Sequence, residues 1–502
     1  MPGPAPGGAN IGTVCQWWAR AEGPQIEAAA APVLRGPRAR RLAGAAEPAS
    51  CTRPYFRPMR FLPYPFLLLA AACVPLGTPI TSTSTAPTTV NRASAGAPAA
   101  PALRYADYTY SPAVQSVQCY VATGTNTAVF QPPVVPLGQS QSLALEFDVL
   151  GDQAPRLLAR LVYCDANWQP STLIDNQFLT DINEFLITDY KIGIGGKVPF
   201  FHYALRAPAL KVSGNYLWVV QDGAGAPLLS RRLLVYENQV AVTLELGLAP
   251  GGDQRFTLQQ LNFGISYGGV DLVNPAAEVQ VVLRQNFRWD NARYGLRPTF
   301  VRDAERRLDY QYFNYENTFP GLSEYRYFDT RSIQTVGQNV LHLDLRARPT
   351  AVALVPETTR AGLGYFQYID ANGRRVFESR EYGNGTTNAD YADVTFQLRA
   401  DQPAPGPVYV LGALTDWQLK DAYRLTYDEA AHMYTGRALL KQGYYNYSYA
   451  VARPDGTADE TYFEGSHYET ENQYDLLVYY RPPGTRTDLL IGYQAIDANA
   501  RQ

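Results

Sequence analysis

The stretch Val212-Ser213-Gly214-Asn215-Tyr216-Leu217-Trp218-Val219-Val220 decides the fold class. Ser, Gly and Asn punctuate a turn, and the aromatic and β-branched run after it has the length of a strand. The same text recurs on both sides. Short apolar-alternating runs occupy 142–147, 279–283, 394–398, 444–451 and 475–480. Turn residues separate them, as in Asn274-Pro275, Asp370-Ala371-Asn372-Gly373 and Pro454-Asp455-Gly456. Long helical periodicity is absent, and only 175–185 reads as a short helix. No longer unit repeats along the chain. The pattern predicts an all-β protein of tandem immunoglobulin-like β-sandwiches.

Composition narrows the function. The chain has 502 residues with 43 basic and 46 acidic side chains, a formal charge of −3. A balance so close to zero provides no electrostatic footprint for nucleic acid. The 36 tyrosines stand against 3 methionines and 4 histidines. Tyrosine suits half-buried strands and interfaces, where the ring packs and the hydroxyl finds a partner. The length exceeds what one core supports, so several domains are expected.

Residues 1–58 are rich in Ala, Gly, Pro and Arg without periodicity, and read as a misassigned or disordered leader. From Met59 the text changes: Arg60, an apolar stretch from 61 to 69, then Ala70-Ala71-Ala72-Cys73. That is the grammar of a signal peptide, with a lipobox-like end that makes Cys73 the candidate lipidation site. Simple export with cleavage elsewhere is the competing reading. The Ser/Thr/Ala/Pro-rich segment 74–101 then forms a flexible tether. In an exported chain, Cys119 and Cys164 either pair as a disulfide or remain two buried thiols. Composition divides the rest into an N-terminal β-sandwich at 102–237, one or two middle β domains at 238–400, and a C-terminal sandwich at 401–497. The last cut rests on the linker-like Asp401-Gln402-Pro403-Ala404-Pro405-Gly406-Pro407.

The search for chemistry returns no catalytic or metal centre and implies no cofactor. The histidines at 202, 342, 432 and 467 lack metal-ligand spacing. Gly264-Ile265-Ser266-Tyr267-Gly268 matches the nucleophile-elbow pattern, but turn residues follow it where the motif needs a helix. Glu469 and Glu471 alternate as on one face of a strand, with nothing apolar nearby to separate their pKa values. Three clusters interleave aromatics with Arg, Asp or Asn, and they supply the candidate residues Trp168, Arg288, Trp289, Asp290, Tyr325, Arg326, Tyr444 and Tyr445. Such sets either pin loops, carboxylates accepting from guanidinium groups under a cover of rings, or form binding hot spots.

Taken in order, these segments resemble the plug protein family of the type IX secretion system. The likeness runs through 165–171, 187–190, 213–216, 285–291, 324–329, 370–373, 441–447, 464–472 and the final Asp488-Leu489-Leu490-Ile491-Gly492. The resemblance implies a non-enzymatic periplasmic protein at the periplasmic face of the outer membrane. Its partner would be the large outer-membrane β-barrel translocon, whose periplasmic mouth it closes; contact with the inner leaflet of the outer membrane is expected only from the lipobox-like end at Cys73, not from the resemblance. A second likeness covers 408–417 and 440–447, which resemble early-set sandwiches that include glycogen-binding modules. In those modules exposed tryptophans stack on sugars, so the alternative function is an exported glycan-binding lipoprotein using Trp417. A core-facing Trp417 is the competing reading of that residue.

Overall fold

The computed structural model describes residues 101–124 and 130–500. The expected signal peptide, Cys73 and nearly all of the tether lie outside them. The described chain is all-β and forms three units.

The first unit is a sandwich. Its outer sheet has the order Val114–Val121, Leu143–Leu150, Phe200–Arg206, Tyr190–Ile192. The facing six-stranded sheet is built on Leu157–Cys164, Gly214–Asp222 and Pro227–Tyr236. Leu145, Phe147, Leu161, Tyr203, Trp218 and Leu233 fill the space between. Tyr216, Trp218 and Val220 of Gly214–Asp222 point into this core, as strand alternation requires. The intervening Leu217 and Val219 are equally buried, but in a different core. An uninterrupted apolar run is what a strand covered on both faces needs.

That second core joins the first unit to the next. It combines Cys164, Leu217, Val219 and Leu234 with Val282, Leu477, Tyr479 and Leu490. The second unit pairs Val279–Gln285 with Asn472–Tyr480, and the latter with Leu489–Ala498. Val281, Leu283, Leu476 and Val478 face the other way, against a sheet containing Ala241–Leu248 and Leu258–Ser266. Four sheets are therefore layered with three apolar cores between them. Face-to-face burial of this kind contributes roughly 25 cal/mol for each Å² of apolar surface removed from water.

The third unit is inserted between the strands of the second. One eleven-stranded sheet runs from Arg326–Asp329 through Gly443–Ala452 and Met433–Lys441 to Tyr391–Arg399 and Val340–Asp344. It curls over a single core, bringing Phe328 and Phe396 from well-separated strands to 5.8 Å between ring centroids. The sheet memberships redraw the boundaries expected from composition. Residues 401–407 connect Tyr391–Arg399 to Val408–Leu411 within one sheet, so they are an internal loop. The strands Asn472–Tyr480 and Leu489–Ala498 belong to the second unit rather than to a C-terminal domain.

Two local expectations are corrected and one open choice is decided. Within 175–185 only Asp175–Phe178 is helical and Phe185 already lies in a strand, while Pro275–Glu278 and Thr461–Glu464 form further short helices. Glu469 lies in a turn before Asn472–Tyr480, so it and Glu471 share no strand face. Cys119 and Cys164 are free thiols, not a disulfide. Cys119 packs toward the first core and Cys164 into the core beyond the inner sheet, so the two face different layers.

Candidate interaction site at the junctions between units

The turn that follows Leu157–Cys164 is fixed by Asp165, whose Oδ1 accepts from the backbone N–H of Asn167 and Gln169 at 2.9 and 2.8 Å. It presents Trp168, 2% exposed, to the second unit. Trp168 meets Trp289 edge to face at 5.0 Å. The Arg232 guanidinium lies 4.4 Å from the Trp168 ring and 5.0 Å from Trp289, and Arg284 stands 4.2 Å from Trp289. Arg284 in turn grips Asp475 through Nε at 2.9 Å and Nη2 at 2.5 Å. Burial works against the Arg284 charge, but Asp475 restores it and holds the guanidinium protonated. The seam between the first two units is thus an aromatic–guanidinium stack ending in a buried fork.

A second seam joins the second and third units. Arg288 is 2% exposed and binds Asp290 at 2.6 Å and Glu460 at 2.7 Å, one from its own loop and one from the third unit. Its guanidinium covers the Trp417 ring at 4.0 Å, and Tyr325 meets that ring edge-on at 5.6 Å. Gly373 presses on the ring as well, leaving no room for a Cβ. Arg326 binds Glu464 at 2.8 Å and Glu357 at 3.1 Å, while Asp370 accepts from the Tyr325 N–H. Tyr445 stacks on Phe328 at 4.9 Å, and Tyr444 on Tyr327 at 5.6 Å.

The third seam closes the first unit against the third. Asp148 is buried and accepts from His202 Nδ1 at 2.8 Å, from Tyr391 OH at 2.7 Å and from Lys441 Nζ at 2.7 Å. Arg231 and Asp416 add an ion pair at 3.1 Å.

The residues singled out from sequence are therefore brought together inside the chain. Trp168, Arg288, Tyr325, Arg326, Tyr444 and Tyr445 are buried, Trp289 is half-buried, and Asp290 alone is exposed. All but Asp290, which pairs with Arg288 of its own loop, meet a partner in another loop or unit, which is the loop-pinning arrangement. Trp417 is half-buried, with one ring face covered by the Arg288 guanidinium. Ser266 ends the strand Leu258–Ser266 opposite Ala241 and Arg307, and a turn follows.

Sequence reasoning missed Arg232, Asp475, Asp148 and Glu460, and it did not single out Lys441 and Glu464 within the segments 441–447 and 464–472. A signal was present for some of them: Arg231-Arg232 and Asp475 interrupt apolar strand text, where a charge survives only if paired. On the outer surface, the loop 361–369 carries no charged residue and exposes Leu363, Phe366 and Ile369. It is held from beneath, where Tyr365 bonds Glu324 and the Tyr368 hydroxyl donates to the Tyr325 carbonyl at 2.8 Å.

Fold and seams together define the class: an all-β body of three units locked by buried polar and aromatic contacts. Residues 114–237, the first sandwich, match the family model of the type 9 secretion system plug protein 1st domain. The match links the first sandwich to type IX secretion. A solved structure, a hypothetical protein from Parabacteroides merdae ATCC 43184, is similar over 79% of this chain and 100% of that one, with 27% identity and a TM-score of 0.73. No curated protein matches the chain.

Proposed function

We propose that this chain is a non-enzymatic component of type IX protein secretion that plugs the periplasmic end of the outer-membrane translocon barrel. The observation that carries the reading is the match of the first sandwich to the plug protein domain. The physical case is mechanical. Sealing a pore needs a body that does not deform, and here three units share buried ion pairs and layered cores instead of flexible linkers. Release needs a limited contact, and a small, pinned apolar loop such as 361–369 suits a reversible docking surface. Anchoring through an acylated Cys73 would hold the plug at the periplasmic face of the membrane.

The test is a gentle capture of the tagged chain from detergent-solubilised outer membrane. A very large β-barrel protein should co-purify with it. Recovery of the chain without such a barrel would refute the reading.

A further inference from the structure

Among the described residues, the buried long-chain cations are Arg231, Arg284, Arg288, Arg326 and, as the one exception to arginine, Lys441. Lysine is rare here, at 191, 197, 211, 420 and 441 only, against 43 basic residues in all. A guanidinium and an ammonium both neutralise a carboxylate, but only the amine readily gives up a proton and becomes a nucleophile. Lys441 Nζ stands 2.7 Å from Asp148 Oδ2, with the two side chains 1% and 0% exposed. A hydrogen bond of that length leaves the nitrogen roughly 3–3.5 Å from the carboxyl carbon, the separation of a reacting pair. The partners belong to different units and are 293 positions apart in the chain.

The surroundings suit a condensation. The Phe200 and Phe377 rings lie 4.4 and 5.8 Å from Nζ and keep the pair out of water. On the carboxyl, Oδ1 accepts from His202 Nδ1 at 2.8 Å and Oδ2 from the Tyr391 hydroxyl at 2.7 Å. The Thr386 carbonyl accepts from Nζ at 2.7 Å. Burial pushes the Lys441 pKa down, against the pull of Asp148.

We propose that Lys441 and Asp148 condense into an isopeptide bond, a covalent staple between the first and third units that the folded chain forms by itself. One Lys441 proton passes along the hydrogen bond to Oδ2, leaving a neutral amine and a carboxylic acid, the form that a water-poor site favours. A small rotation of the lysine side chain then carries Nζ from the edge of the carboxyl to the face of Cγ. The nitrogen lone pair forms the C–N bond, and the Cγ–Oδ1 π electrons move onto Oδ1, where the His202 N–H holds the developing charge. A second proton passes from Nζ to Oδ2. The Cγ–Oδ1 double bond re-forms, the Cγ–Oδ2 bond breaks with its electron pair, and water leaves. Nothing is oxidised or reduced, and the net change is ammonium plus carboxylate to amide plus water. The one proton left on Nζ remains directed at the Thr386 carbonyl. A cavity of about 370 Å³, lined by His202 and Thr386 among others, gives the departing water an exit.

The test is a protease digest of the purified full chain, denatured and analysed by mass spectrometry. A branched peptide should join the segment containing Asp148 to that containing Lys441, one water lighter than their sum. Lys441→Arg, which keeps the charge, should give only the separate peptides. The staple also closes a large covalent loop, so its formation after translation in vitro can be timed by the mobility shift on denaturing gels. His202→Gln should slow that shift at least tenfold. Should a variant fail to fold, the wild-type digest decides by itself. Folded wild-type chain that yields the Asp148 and Lys441 segments only unlinked would overturn the proposal, as would a link that persists in Lys441→Arg. An unchanged rate in His202→Gln would overturn the part given to the imidazole.

Discussion

The guanidinium of Arg288 rests 4.0 Å above the ring of Trp417, one from the second unit and the other from the third. The contact does two jobs. It desolvates the ring against a cation, a geometry with about 0.5–2 kcal/mol of attraction, and it covers one of the two ring faces. Trp417→Ala should therefore lower unfolding stability by about 2–3 kcal/mol, as removal of a large half-buried aromatic does. Urea titration measures the loss. Capture of the barrel by the folded variant should be unchanged, and retention on polysaccharide columns should be equally absent in both proteins.

Gly373 permits that packing. Its φ is +77°, and a Cβ there would collide with the Trp417 ring. Gly373→Ala should cost about 1–3 kcal/mol through backbone strain and displacement of the indole. A thermal melt equal to wild type would mean that the ring has room to move.

The Arg284–Asp475 fork joins register neighbours on adjacent strands of one central sheet, with both side chains almost wholly buried. Removing one partner strands the other, so Asp475→Asn should destabilise by about 3–5 kcal/mol. Replacing both residues with apolar side chains of similar volume should recover most of that loss. Denaturation of the single and double variants distinguishes a true coupling from two independent defects.

Cys164 is buried in the core between the first two units, and burial pushes its thiol up to about 12. At pH 8 it is protonated and unreactive toward iodoacetamide until the chain unfolds. Melting temperature should be the same with and without reductant, because no disulfide links Cys164 to Cys119. A reductant-dependent melt would contradict the layered placement of the two thiols.

Local pattern made the strands legible but not their partners. Residues 216–220 read as a strand because turn residues precede a β-forming run, and the structure places them in Gly214–Asp222. That both faces of this strand are covered follows from sheets assembled by residues more than two hundred positions downstream, such as Leu477 and Leu490. No spacing rule encodes that meeting. The return of Asn472–Tyr480 to Val279–Gln285 was hidden for the same reason, and the proline-rich 401–407 mimicked a boundary because loops and linkers share a composition. Among the site residues, the aromatic–Arg clusters could be found from sequence. The pairing of those clusters with Asp148, Glu460, Glu464 and Asp475 could not, since each is distant in the chain from the group it neutralises.

The central claim is that this body seals an opening by occupying it. The direct measurement is conductance of the purified outer-membrane barrel in a planar bilayer, recorded before and after the full chain is added to the periplasmic side. Sealing predicts a large open conductance that falls in proportion to the chain added and returns when the chain is washed away. A conductance unaffected by saturating chain would contradict it.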